Sequence, residues 1–325
     1  MANPRNEILD WSEQGRIAPE NLRAALEAGG VLPDAGQWRR FLDRLLLWMG
    51  TVMLACSAIF FLAFNWEEMG RLAKIGLVEL ALVGALVLVW RLGLERAAGK
   101  AALFAAALLA GGLLALVGQI YQTGADTWEL FAVWAAAILP WTLAGRLPAL
   151  WVLWLGLLNL AVSLYYLTFG LLWGFVFAPE RLMWMLFGLN TVALVLWEAC
   201  AAIGPAWMRE RWSIRIVATA SGALITWLAL MDIFDWRSSS HWGAPLWLAW
   251  MAAAYAAYRR RVKDVYVLAG GVLSAIVVIA SLLAKNMSHG DAGAFLFIGL
   301  VIIGLSAAGG WWLKGVINDQ DREAA

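Results

Sequence analysis

Apolar runs of about 20 residues recur from residue 45 almost to the end of this chain, each long enough to carry a helix across a hydrocarbon core of roughly 30 Å. The stretch AALFAAALLAGGLLALVGQ, residues 101–119, is one of them. No soluble core explains such repetition. Apolar length and flanking punctuation place about ten spans, roughly 45–64, 72–90, 101–120, 128–145, 149–170, 182–203, 214–231, 244–258, 265–284 and 292–313. The eighth is short. The expected fold class is all-α, a polytopic transmembrane helical bundle.

Composition agrees, because 63% of the 325 residues are hydrophobic and only 14% are charged, whereas a soluble domain is near a quarter charged. A net charge of +1 offers no basic excess for nucleic acid, so none is expected as a partner. Cys56 and Cys200 both fall inside apolar runs and read as small packing residues. Residues 1–44 are polar and lack the early apolar stretch of a cleavable signal peptide. The first span would then act as its own insertion signal.

Those first 44 residues read as a small cytosolic helical module. NEILDWSEQG ends on Gly15, and APENLRAALEAGG opens with Pro19 in its first turn and closes on Gly29 and Gly30. In DAGQWRRFLDRLLLW, Trp38, Phe41 and Leu45 lie opposite Arg39, Arg40 and Arg44, the pattern of a helix lying along the membrane surface before entering it. The organisation expected is a module over 1–44, the first four spans over 45–145, six more over 146–313, and a cytosolic tail at 314–325. With both termini cytoplasmic, 19 of the 24 Lys and Arg fall in inner segments and 5 in outer ones, as the positive-inside bias requires. RRRVK (259–263) and RERWSIR (209–215) are the strongest inner markers. Many of the 22 tryptophans, including Trp48, Trp66, Trp90, Trp128, Trp151, Trp311 and Trp312, sit at span ends, where indole rings anchor at headgroup level. The third span, rich in Ala and Gly, is expected at the centre, where backbones approach closely. Ten spans could form an inverted repeat of five and five, although the halves show no convincing similarity.

Between the first two spans, FNWEEMGRLAK (64–74) keeps two carboxylates, an arginine and a lysine. Capping chemistry accounts for part of this: Asn65 with Glu68 makes a capping box, Glu67 and Glu68 suit a helix start, and Glu67 pairs with Arg71 four residues on. The same grammar returns in DTWE, with Asp126 as cap and Glu129 three later. Capping does not require Lys74, Gln119, Tyr121 or Gln122. Half-buried polar groups need partners, so the two loops are expected to meet as one external polar cup, with Gly124 supplying a turn.

NWEEMGRLAK and GQIYQTGADTWELFAVWAAAILPW, preceded by the W…GRIAPE helical module, resemble the bacterial membrane proteins grouped as domain of unknown function 2157. The resemblance covers about residues 8–146. It implies a polytopic inner-membrane protein, and its matching positions are Asn65, Trp66, Gln119, Tyr121 and Asp126.

Glu79 stands inside the second span, two turns from Arg71, where an ionisable group is costly and a functional candidate by default. It reads either as part of a proton- or cation-linked path together with Lys74, or as a neutralised structural glutamate. Glu198 can reach interfacial cations, and Asn159 and Asn190 read as glue between helices. His241 and His289 fall in outer loops, where Asp235 or Asp291 would complete a metal site, but surface histidines are the commoner case and no metal is expected. Phosphate-binding loops, HExxH and G-x-S-x-G are missing, so no catalytic residue is assigned and no cofactor is expected.

Three functional readings remain. In the leading one, a bacterial inner-membrane protein binds a small polar or amphiphilic molecule at its outer face and permits its passage. Asn65, Trp66, Glu67, Glu68, Arg71, Gln119, Tyr121, Gln122 and Asp126 would form its entrance. The second is an enzyme acting on lipid-linked envelope material through Glu67, Glu68 or Asp126. The third is a sensor or scaffold signalling through the N-terminal module. Expected partners are membrane lipid, a small-molecule ligand, and a second copy or an envelope protein.

Overall fold

The computed structural model describes residues 4–64, 70–122, 124–170, 179–234, 241–287 and 292–324, and the described residues are helical with no strand. They cluster into two compact units, one of residues 46–244 and one of residues 1–45 with 245–325.

The N-terminal stops fall where expected. Helix α1 (Pro4–Glu13) ends at Gly15, whose φ of 71° lets the chain turn back so that the Arg16 N–H reaches the Trp11 carbonyl at 2.8 Å. After a 3-10 turn over Pro19–Asn21, α2 (Leu22–Ala28) closes in the same way at Gly30, φ 69°. Gly29 is required for a different reason: a Cβ there would sit 2.5 Å from Cδ1 of Ile8, the buried residue of α1. Asp34 then accepts from the Gln37 N–H and starts α3 (Ala35–Phe64). α3 is one unbroken helix of 30 residues, about 45 Å long at 1.5 Å per residue. The amphipathic stretch around Trp38 and the first expected span therefore belong to the same helix.

In the 46–244 unit, consecutive helices pack as antiparallel neighbours across short links. These are α4 (Arg71–Leu92), α5 (Ala97–Tyr121), α6 (Thr127–Gly145), α7 (Pro148–Gly170), α8 (Pro179–Ile203) and α9 (Arg211–Phe234). As expected, α5 is the central helix: half of its apolar window is buried, the largest share among the candidate spans. Its small side chains permit this. Gly111 leaves no room for a Cβ, which would fall 2.2 Å from the Trp134 ring, and in that niche the Trp134 indole N–H donates to the Ala107 carbonyl at 2.8 Å. Trp154 repeats the device one helix along, donating to the Ala135 carbonyl at 3.1 Å. These two tryptophans tie α5 to α6 and α6 to α7 inside the core of Leu103, Ala107, Ile138 and Leu150, rather than anchoring at an interface.

Farther along, Asn159 on α7 and Asn190 on α8 exchange amide hydrogen bonds of 2.6 and 3.4 Å, and the hydroxyls of Thr191 and Ser221 join α8 to α9 at 2.7 Å. Both asparagines thus serve as interhelical glue. Glu198, near the end of α8, accepts from Arg211 on the first turn of α9 at 3.1 and 3.2 Å.

The second unit holds most of α10 (Gly243–Ala256), a π turn (Ala257–Arg261), α11 (Val265–Asn286) and α12 (Ala292–Ala324). Asp264 caps α11 by accepting from the Tyr266 N–H at 3.0 Å. The Trp247 indole donates to Ser274 at 2.8 Å, and Gly309 lets α12 approach Val272, which lies 2.4 Å from where its Cβ would stand. Each of the ten expected spans corresponds to a helix. Among the described residues, eight of these, α4 to α9 with α11 and α12, are long and apolar enough to cross a membrane, so the protein is a helical membrane bundle. The eighth expected span, α10, has only 14 residues before the π turn.

Candidate functional site at the α4–α7 end

The start of α4 and the end of α5 share one seam. Ile75 and Val78 of α4 pack with Leu113, Leu116 and Ile120 of α5, and Lys74, one turn before Val78 on the same face, is only 5% exposed. The two helices run antiparallel, so this contact brings the chain entering α4 and the chain leaving α5 to the same end of the unit.

α5 ends at Tyr121, 63% exposed, where Gln122 takes the left-handed conformation (φ 45°) and its N–H bonds the Gly118 carbonyl. Gln119, Gln122, Gly124 and Asp126 are exposed, and the φ of 68° at Gly124 supplies the expected turn. Asp126 occupies the N-cap of α6 with Glu129 in the first turn, as expected, but only its backbone carbonyl bonds the Glu129 N–H, at 3.0 Å. Its carboxylate makes no cap hydrogen bond.

The cap expected from Asn65 is a correction. α4 begins at Arg71 with Gly70 as N-cap (φ −64°, ψ 153°), so neither the Asn65–Glu68 box nor an i, i+4 pairing of Glu67 with Arg71 opens that helix. Glycine is an acceptable N-cap, and the helix starts after it. Asn65, Trp66, Glu67 and Glu68 themselves lie outside the described residues; Arg71 is exposed on the first turn.

The sequence reading missed an aromatic cluster at this end. On the first turn of α6, the Trp128 ring meets Tyr165 of α7 edge-on at 5.0 Å; Tyr165 in turn lies 4.7 Å from Phe169 and 6.3 Å from Tyr166. The Trp128 indole nitrogen is buried and has no hydrogen-bond partner among the described residues. Three aromatics within LYYLTF, near the end of the fifth expected span, were the available signal.

Glu79 is exposed on the α4 face that also carries exposed Leu72 and Val83, turned away from the seam that holds Lys74 and Val78. It does not line the apolar groove of about 340 Å³ formed by α3, α4 and α5 around Thr51, Ala85 and Ala101. His241 is exposed in a turn, while His289, Asp235 and Asp291 lie outside the described residues. Among the described residues no group of His, Cys, Asp and Glu could hold a metal ion.

No curated protein and no solved structure matches this chain. Residues 9–151, from α1 into the first turn of α7, match the family described as a predicted membrane protein (DUF2157), the same family that NWEEMGRLAK and GQIYQTGADTWELFAVWAAAILPW resemble.

Proposed function

We propose that this multi-pass membrane protein binds a small polar or amphiphilic molecule at the α4–α7 end and permits its passage, with that end facing the periplasm of a bacterial inner membrane. The observation that carries the reading is the buried indole N–H of Trp128, a donor without an acceptor among the described residues, close in sequence to the exposed Gln119, Tyr121, Gln122 and Asp126. A buried donor of this kind calls for an acceptor oxygen. Tyr165, Tyr166 and Phe169 would receive the apolar part of the molecule. Gln119, Tyr121, Gln122 and Asp126 would form one lip of the mouth, and Arg71 with residues 65–68 the other. Glu79 is assigned the coupling of passage to protons, reached from the lipid-facing side of α4.

The test is retention followed by flux. The purified protein is equilibrated with an envelope extract, and retained molecules are identified by mass spectrometry. Wild type should hold a discrete amphiphile that Trp128→Phe, with its ring but no N–H, retains about tenfold less well, the effect of one hydrogen bond worth about 1.4 kcal/mol. Equal retention by Trp128→Phe and Asp126→Asn would end the assignment. For the molecule so found, pH-dependent flux into proteoliposomes should disappear in Glu79→Gln; flux unchanged there removes Glu79 from the mechanism.

A further inference from the structure

The other unit carries a second feature that the proposed mouth does not use. Where α10 ends, the π turn and the residues after it place Arg259, Arg260, Arg261 and Lys263 within five positions. π turns insert one extra residue and recur at functional sites. Arg259 reaches the end of α12, where its guanidinium bonds the Asp319 carboxylate at 2.7 Å. Beside this pair lies an open groove of about 460 Å³ lined by Arg259, Trp311, Trp312, Lys314, Gly315 and Asp319. Trp312 is held by stacking on Tyr255 at 6.2 Å, and Trp311 is 82% exposed. Gly315 forms open floor, since a Cβ there would meet nothing within 4 Å.

The groove therefore joins two kinds of surface. Arg259 and Lys314 supply charge, and one bond to Asp319 uses only part of the donor set of a guanidinium. Trp311 and Trp312 supply the amphipathic rings that favour headgroup depth, at the point where the apolar run of α12 gives way to Lys314. We propose that this groove is a binding site for the phosphate headgroup of an anionic phospholipid, with Arg259 and Lys314 on the phosphate and the two indoles beside the glycerol and upper acyl chain. Among the described residues that line the groove, the one carboxylate, Asp319, competes with the phosphate for Arg259.

The experiment uses the full chain in a zwitterionic detergent, with phosphatidylglycerol, phosphatidylcholine and inorganic phosphate as probes, read by native mass spectrometry and by the shift in Tm. Wild type should retain phosphatidylglycerol selectively. Arg259→Gln combined with Lys314→Gln should weaken it about 30-fold, two cations at about fivefold each. Because loss of the Arg259–Asp319 pair could itself loosen the fold, two further variants leave both cations in place. Gly315→Leu, whose Cβ would meet nothing within 4 Å, extends a side chain into the groove and should abolish selective retention at nearly unchanged Tm in lipid-free detergent. Asp319→Asn removes the competing carboxylate and should tighten retention severalfold, whereas a merely structural ion pair would give a lower Tm and no tighter binding. Equal retention of the two lipids, equal retention across all variants, or binding of inorganic phosphate as tight as that of the lipid would each overturn the proposal.

Discussion

Two loops of this molecule share the same local grammar and use it differently. In each, a residue in the left-handed region precedes an aspartate in extended conformation that opens the next helix: Gln122 (φ 45°) lies four residues before Asp126, and Lys263 (φ 53°) directly before Asp264. Asp264 is 3% exposed and its carboxylate closes on the Tyr266 N–H, so it belongs to the helix it starts. Asp126 is exposed, and its carboxylate leaves the helix start uncapped. An aspartate before an apolar run therefore does not by itself identify a cap. Burial and the presence of the hydrogen bond separate a structural carboxylate from one that can meet a ligand, and on both counts Asp126 is the carboxylate left open.

The largest expected effect tests the frame that holds the α5–α6 tip. Gly111→Val would place a side chain into the Trp134 ring and break its bond to Ala107, and such overpacking should destabilise the protein by about 3 kcal/mol. The matching change Gly84→Ala on α4, where a Cβ meets nothing within 4 Å, should leave the unfolding midpoint in detergent nearly unchanged. A tolerant Gly111 would mean that α5 and α6 are not locked together and that the tip has no fixed geometry.

Next comes the structural member of the pair. Asp264→Ala removes a buried N-cap and should lower stability by about 1–2 kcal/mol, read as a fall in the unfolding midpoint. Asp264→Asn keeps an acceptor oxygen and should recover most of the loss. If Asp264→Ala were silent, the contrast with Asp126 would vanish.

The apolar lengths made the membrane architecture readable, because hydrocarbon thickness dictates how long each run must be. They could not distinguish buried helices from lipid-facing ones: half of the α5 window is buried but only 6% of the α12 window, although both read as ordinary spans. What separates them is side-chain size, which the Ala and Gly content of α5 did announce. The tryptophan count was visible, but not which rings turn inward, since Trp134 and Trp154 find carbonyls on neighbouring helices that no local pattern names. At the candidate mouth, the polar tip of residues 119–126 was legible from its composition. The burial of Lys74 and the Trp128–Tyr165 cluster were not, because both depend on which helices pack together. The start of α4 was legible to within one residue, at 72 against Arg71, but its N-cap is Gly70 and not the Asn65 that the capping-box spacing suggests.

The smallest expected effect on stability is also the most discriminating. Asp126→Ala removes an exposed carboxylate that makes no cap bond, so the unfolding midpoint should move by less than the equivalent of about 0.5 kcal/mol, the usual range for a surface substitution. The carboxylate also sits near the positive end of α6, which favours it by a few tenths of a kcal/mol at an exposed site, so a slight loss is expected and a large one is not. Retention of the envelope amphiphile should fall clearly in the same variant. Stability and retention falling together would make Asp126 a second Asp264, a cap whose bond forms in solution. Retention falling alone would show that the two loops diverged in use while keeping the same local form.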